Sequence, residues 1–251
     1  MLSDLTFLTN ESGRKLSDRL NDLLARSTRF DCLVGYFYVS GFDLIRQALE
    51  PCEKIRILIG LGTEREVYEG LQRDNGGSAL NFQPHAETIK SFKRIVLDQL
   101  EHAEETVEVE SAIEQLVRWC QESKVEVRAF DKASIHAKVY IFTFDKSQIN
   151  KGHVITGSSN LSARGLHENL EFNVELKDSR DYDFASSKFE ELWAESVDLT
   201  NHLVRTVGKE SHLAQFSPYE LYLKFLYEYF QTELNQPREL DQEYQPEGFV
   251  R

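Results

Sequence analysis

"SIHAKVYIFTFD", residues 134–145, decides how this chain is read. Its run of apolar, β-branched and aromatic residues reads as a strand, and side chains two apart on a strand project from the same face. His136 and Lys138 then point one way and Ala137 the other. An imidazole and an ammonium gain nothing from each other, because like charges disfavour one another and a buried ammonium needs a counter-charge. The pair implies an anion that it is built to receive.

The residues after this strand bear on that anion. "GSSNLSARGL" (157–166) and "NLEFNVEL" (169–176) come next, so His136, Lys138, Gly157, Ser158, Asn160 and Glu171 occur in that order. This arrangement resembles the phospholipase D superfamily, whose motif is H-x-K, a short connection, G-S-x-N and a later glutamate on a following strand. The resemblance implies an α/β fold, a mixed β-sheet flanked by helices. It departs at one place: Thr143 stands where the motif has an aspartate, and Asp145 lies two residues further on. In the family that aspartate is a structural part of the motif and not its nucleophile.

The resemblance implies catalytic roles for His136, Lys138, Asn160 and Glu171. His136 would attack phosphorus and form a phosphohistidine that water resolves. Glu171 would hold the far ring nitrogen, as an orienting carboxylate does in a triad. Lys138 and the Asn160 amide would meet the charge on the non-bridging oxygens, with Ser158 and the Gly157 turn as substrate-binding donors. Lys132, in the same basic stretch, is a further candidate phosphate contact. The mechanism calls for no metal and no cofactor. The leaving oxygen needs a proton from a second histidine, and the chain carries a single H-x-K. In the family, single-motif members pair as two-fold dimers, so the implied active form is a homodimer with His136 facing its own symmetry mate.

Working outward, 251 residues with 41% apolar content suit one large α/β domain or one domain with an appendage. The net charge of −13 speaks against a generally basic nucleic-acid-binding surface. From Arg128 to Arg164, however, Arg128, Lys132, Lys138, Lys146, Lys151 and Arg164 outnumber Asp131 and Asp145. Glu101, Glu104, Glu105, Glu108, Glu110 and Glu114 form an acidic run that reads as a solvated helix face. Cys32, Cys52 and Cys120 are odd in number and widely spaced, which argues against a disulfide framework or a zinc site and fits a reducing cytoplasm. No leader or membrane span is expected, and the acidic amphipathic segments are unlike a membrane-surface helix.

Periodicity places an early helix on Leu16, Leu20, Leu23 and Leu24, and strands at "FDCLVGYFYV" (30–39) and "KIRILIGL" (54–61), with a helix after Ser40 between them. A helical stretch runs from about residue 86 to 121, with Ile113, Leu116, Val117 and Cys120 on one stripe and a break near Thr106. Strands return at "VEVRAF" (125–130), "IHAKVYIF", "HVITG" (153–157) and "NLEFNVEL". Helical spacing resumes through Phe189, Leu192 and Trp193. Ser217, Pro218 and Glu220 cap a last helix ahead of a polar tail. The organisation expected is a phospholipase D-like domain over 1–198 and a helical extension and linker over 199–251. His153 and His167 lack a lysine two residues on and read as loop or surface histidines.

Two function classes remain open from the sequence alone. One is a metal-independent nuclease acting on DNA or RNA. The other is a non-catalytic phosphate-holding or dimerisation module of a helicase or restriction system. The layout also resembles the phospholipase D-like domain that precedes the motor in some bacterial DEAD/DEAH-type helicases, which would place a motor beyond residue 251. No Walker-type phosphate loop occurs in the sequence itself.

Overall fold

Two apolar runs build the centre of the molecule. β2 (Ser27–Val34) and β3 (Lys54–Gly60) pair in parallel, with Cys32 opposite Ile57. β4 (Val125–Phe130) adds in parallel beyond β3, and β5 (Val139–Phe144) lies antiparallel beside β2. Past β5 the chain continues antiparallel through β6 (Gly152–Gly157), β7 (Asn173–Leu176) and the short β1 (Phe7–Leu8), while β8 (Val197–Asp198) flanks β4. The structure is a computed structural model that describes residues 6–35, 37–60, 107–130, 132 and 135–209. Among these residues one mixed sheet runs β1-β7-β6-β5-β2-β3-β4-β8.

Helices cover both faces, as the alternation of strand and helix implies. α1 (Leu16–Leu24) buries Leu16, Leu20, Leu23 and Leu24, the four positions its spacing predicts, and packs on β2. α2 (Val39–Ile45) lies between α1 and α3 (Val107–Gln121), and Phe42 meets Trp119 edge to face at 5.8 Å. Ile113, Leu116 and Cys120 are buried on α3, as its stripe requires. On the opposite face α4 (Ser179–Ala194), capped by Asp178 accepting from the Arg180 amide at 2.8 Å, packs across β4, β5 and β6. Its Tyr182, Phe189 and Trp193 close a core with Leu33, Leu58, Phe130, Ile141 and Val154. The three cysteines are buried and free, and burial pushes the Cys52 and Cys120 thiols up to about 12.

Asp31 and Arg56 interrupt otherwise apolar strands for a reason the structure supplies. Arg56 Nε donates to Asp31 Oδ1 at 2.6 Å, and its terminal nitrogens reach both oxygens of Glu190 on α4 at 3.0 and 2.7 Å. The guanidinium lies over the Phe189 and Trp193 rings at 4.9 and 5.2 Å. A buried charge is tolerated when it is paired and fully hydrogen-bonded, and here it joins the sheet to α4.

Several expectations shift. The first strand stops at Val34 instead of running to Val39, because Gly35 leaves the sheet and Tyr38 becomes the N-cap of α2. "NLEFNVEL" is a strand only over Asn173–Leu176, and its first half is a loop. Residues 200–209, at the start of the expected helical extension, form α5 (Thr200–Lys209), which packs on α3 and β4. The helix expected from 86 to 106, the first half of the acidic run and the capped helix at Ser217 lie outside the described residues. No helix among the described residues is long and apolar enough to cross a membrane.

Candidate active site

The motif residues converge where β5 begins and β6 ends, at the carboxyl end of the parallel strands β2, β3 and β4. His136 is exposed on the extended segment just before β5, and Lys138, two residues on, is buried. The lysine folds back on the histidine: Lys138 Nζ lies 3.0 Å from His136 Nδ1 and 3.1 Å from Nε2, and donates to the His136 carbonyl at 2.8 Å. Burial lowers the Lys138 pKa, and the Glu171 carboxylate partly offsets this. The Lys138 carbonyl accepts from the Thr156 hydroxyl at 2.9 Å and the Gly157 amide at 3.3 Å, which seats the H-x-K segment directly on the start of G-S-S-N.

The G-S-S-N turn is locked from below. Ser159, fully buried, donates its amide to Asn173 Oδ1 at 3.3 Å, accepts from Asn173 Nδ2 at 2.9 Å, and its carbonyl accepts from Tyr140 Oη at 2.7 Å. That leaves Ser158 exposed and Asn160 half-buried on the upper side. Gly157 has no room for a side chain, since a Cβ there would lie 2.3 Å from the Phe172 carbonyl oxygen. Gly35, at the exit of β2, completes the floor: a Cβ on it would come within 3.6 Å of Asn160 Oδ1 and 4.0 Å of His136 Cδ2. After the turn the chain winds into a π-helical segment (Arg164–Glu168), tied to the N-terminal segment because Asn10 Nδ2 donates to the Gly165 and Asn169 carbonyls at 2.9 Å. π-helical turns recur at functional sites.

Two placements differ from expectation. Glu171 accepts from the Ser158 hydroxyl, and among the described residues no hydrogen bond joins it to His136. The glutamate precedes β7 by two residues, on a loop beside Ser158, so the serine is what its carboxylate meets. Lys132 is exposed and engaged with Glu195 at 2.9 Å, with no described contact to the motif residues. The basic stretch is likewise dispersed in space. Lys151 bonds Asp183 at the far end of β6, and Arg128 lies over Trp193 at 4.8 Å. Thr143, at the motif's aspartate position, meets Tyr182 Oη at 2.9 Å, roughly 17 Å along the strand from Lys138 at about 3.3 Å per residue.

His153 and His167 are not loop or surface groups. His153 is buried on β6, its Nδ1 2.7 Å from Glu175 Oε1. Arg19 binds both Glu175 oxygens at 2.7 Å. Burial pushes the Glu175 carboxyl up, but the hydrogen bonds from His153 and Arg19 outweigh it and hold the group at about 2. His153 projects to the α1 side of β6, where a strand residue in mid-sheet has nowhere else to go. His167 is half-buried in the π-helical segment, bonded to Ser17 and Lys15. Sequence reading missed Gly35, Tyr140 and Asn173. Only Asn173 left a signal, a polar residue at an inward position of β7.

Solved structures show distant likenesses. TrmBL2, an archaeal chromatin protein whose structure shows a novel mode of DNA binding, aligns at 16% identity over 78% of this chain and 55% of its own, with a TM-score of 0.40. Nuc from Salmonella typhimurium, a phospholipase D family member, aligns at 12% over 76% and 95%, with a TM-score of 0.44. Phosphatidylserine synthase from Haemophilus influenzae aligns at 13% over 91% and 45%, with a TM-score of 0.48. The chain thus spans about half the length of the first and the third. No curated protein matches the chain. The model of the cardiolipin synthase, PLD-like domain family matches residues 54–193 and says nothing of a helicase motor. That span takes in β3 to α4 and every residue of the motif, and the chain belongs to the phospholipase D-like domain family.

Proposed function

We propose that the chain is a phosphodiesterase that cleaves DNA or RNA through a covalent phosphohistidine on His136. The observation that carries this reading is the seating of the Lys138 ammonium against the His136 ring, on a segment whose Lys138 carbonyl accepts from the Gly157 amide at the start of the turn that holds Ser158 and Asn160. A phosphate placed over that group would meet the Lys138 ammonium and lie beside the Asn160 amide, a fixed cation and donor of the kind that phosphoryl transfer needs, while the Ser158 hydroxyl is turned to Glu171. A ring nitrogen of His136 attacks phosphorus, the bond from phosphorus to the leaving oxygen breaks, and that oxygen takes a proton from a second imidazole. Water then attacks the phosphohistidine, gives its proton to that same imidazole, and the P–N bond breaks. The second imidazole is His136 of a second copy, since each chain has one H-x-K. Glu171 acts by fixing Ser158 and by supporting the charge on Lys138.

Trapping tests the reading. Rapid denaturation during turnover of a labelled oligonucleotide should leave an alkali-stable, acid-labile label on the protein, absent from His136→Ala, and cleavage should survive EDTA. Cleavage that is abolished by chelator and restored by magnesium, or that His136→Ala retains at the wild-type rate, would overturn it. Binding of oligonucleotides without cleavage would instead identify a phosphate-holding module.

A further inference from the structure

Asn10 has a φ of 62°, in the left-handed region, where asparagine is among the few residues with a side chain that settle readily. Its buried side chain faces two ways. Oδ1 accepts from the Leu16 amide at the start of α1 at 2.9 Å, and Nδ2 donates to the Gly165 and Asn169 carbonyls at 2.9 Å each. The π-helical segment closes with the Asn169 amide on the Arg164 carbonyl at 2.8 Å, so the Gly165 carbonyl lies past that bond and needs a donor from outside. Aspartate would offer the same backbone and the same acceptor, but when ionised it has no donor.

What Asn10 grips lies directly against Asn160. A Cβ on Gly165 would come within 2.5 Å of the Asn160 carbonyl oxygen and 3.1 Å of the Asn160 amide nitrogen. The turn between them closes on itself, since the Ser162 amide donates to the Asn160 carbonyl at 2.9 Å and the Gly165 amide to Ser162 Oγ at 3.1 Å. The Asn160 side chain in turn reaches Gly35, where a Cβ would lie 3.6 Å from Asn160 Oδ1 and 4.0 Å from His136 Cδ2. A shift of the Gly165 peptide is therefore passed to the amide on the His136 side of the turn. It does not release the segment, because the buried Leu166 and the bond between His167 and Ser17 hold the same stretch independently.

We propose that Asn10 is a positioning residue for the reaction: through the Gly165 carbonyl it sets where the Asn160 amide meets the phosphate. This rests on the phosphodiesterase reading above and adds to it a residue outside the motif.

A double-mutant cycle on the full chain tests it. Asn10→Asp keeps the acceptor for Leu16 and removes both donors. At a temperature where circular dichroism finds every variant folded, it should lower kcat/KM for a labelled oligonucleotide roughly 10- to 100-fold, the scale of a small misplacement near the reacting atoms. In an Asn160→Ala background the same change should cost less than about 3-fold, because the group it positions is gone. Equal losses in the two backgrounds, or a wild-type rate in Asn10→Asp, would overturn the proposal and leave Asn10 a role in the fold alone. Should the aspartate variant not fold, Asn10→Gly, which fits the left-handed backbone and removes the whole side chain, carries the same cycle. If wild type binds the oligonucleotide without cleaving it, the cycle is read in Kd. Coupling between the two positions there would keep the role of Asn10 and remove the phosphodiesterase reading, whereas cleavage with additive losses would do the reverse.

Discussion

Lys138 Nζ stands almost equally far from both nitrogens of the His136 ring, at 3.0 and 3.1 Å, while donating to the histidine's own carbonyl at 2.8 Å. Among the described residues the ammonium is therefore held by its backbone neighbour and not by a carboxylate. In the mechanism proposed above, it would meet a phosphate oxygen as a bond forms to the ring beside it.

The charge of Lys138 should set the alkaline limit of activity. Burial lowers its pKa, so the ammonium is lost at a pH below the ordinary lysine value of about 10.4 as pH rises. The alkaline limb of kcat/KM should fall below that value. In Glu171→Gln it should move lower still, because the carboxylate that favours the charged lysine is gone. A pH–rate profile of both proteins checks the direction.

Acid stability should be governed largely by Glu175. Its carboxyl lies at about 2 when folded and near 4.5 ordinarily. The depressed value means that its contribution is fully present above the unfolded pKa and is lost as pH falls through about 4.5 toward 2. The shift corresponds to a contribution on the order of 3 kcal/mol. Urea melts of wild type should weaken across that window, whereas those of Glu175→Gln should start lower and change less with pH.

Mixing should separate a shared site from two independent ones. Heterodimers of wild-type and His136→Ala chains hold one nucleophile and no matching acid, so their rate should be close to zero, since groups acting as a unit fail together. Purified heterodimers keeping about half the wild-type rate would place a complete site in each chain.

Salt dependence should report Lys138 and not Lys151. Removing one phosphate contact should reduce the slope of log affinity against log salt by about 0.7 to 0.9. Lys138→Ala should show that reduction in oligonucleotide binding. Lys151→Ala should not, because Lys151 lies against Asp183 at the far end of β6.

Gly41→Ala should disturb the site from behind. A Cβ on Gly41 would lie 2.4 Å from the carbonyl carbon of Leu161 and 2.5 Å from the Ser162 amide, so backbone and not a side-chain tip must yield. Overpacking of this kind costs about 1–3 kcal/mol. The displaced residues follow Asn160 directly, so oligonucleotide affinity should fall along with the urea midpoint.

What the sequence discloses about this molecule divides by the range of the interaction. His136, Lys138, Gly157, Ser158 and Asn160 are legible because chemistry sets their identity and a hairpin sets their spacing. The strands are legible where apolar residues are unbroken, as in β3 and β5. The role of Asp31 and Arg56 is not, since Glu190 lies 134 residues from Arg56 in sequence. The basic stretch misleads for a geometric reason. β5 and β6 carry the chain away from the site and back, so Lys146 and Lys151 fall at the hairpin end, remote from Lys138. His153 misleads similarly, because its partner Glu175 belongs to a strand laid down 22 residues later.

The buried clasp of Tyr140, Ser159 and Asn173 beneath the G-S-S-N turn has a dynamic consequence. Its members belong to β5, the turn and β7, so the turn cannot lift unless neighbouring strands separate. The amides of Gly157 and Ser159 should then exchange with solvent at the rate of whole-molecule opening and not at that of a surface loop. Heat inactivation and melting of the sheet should accordingly be one event.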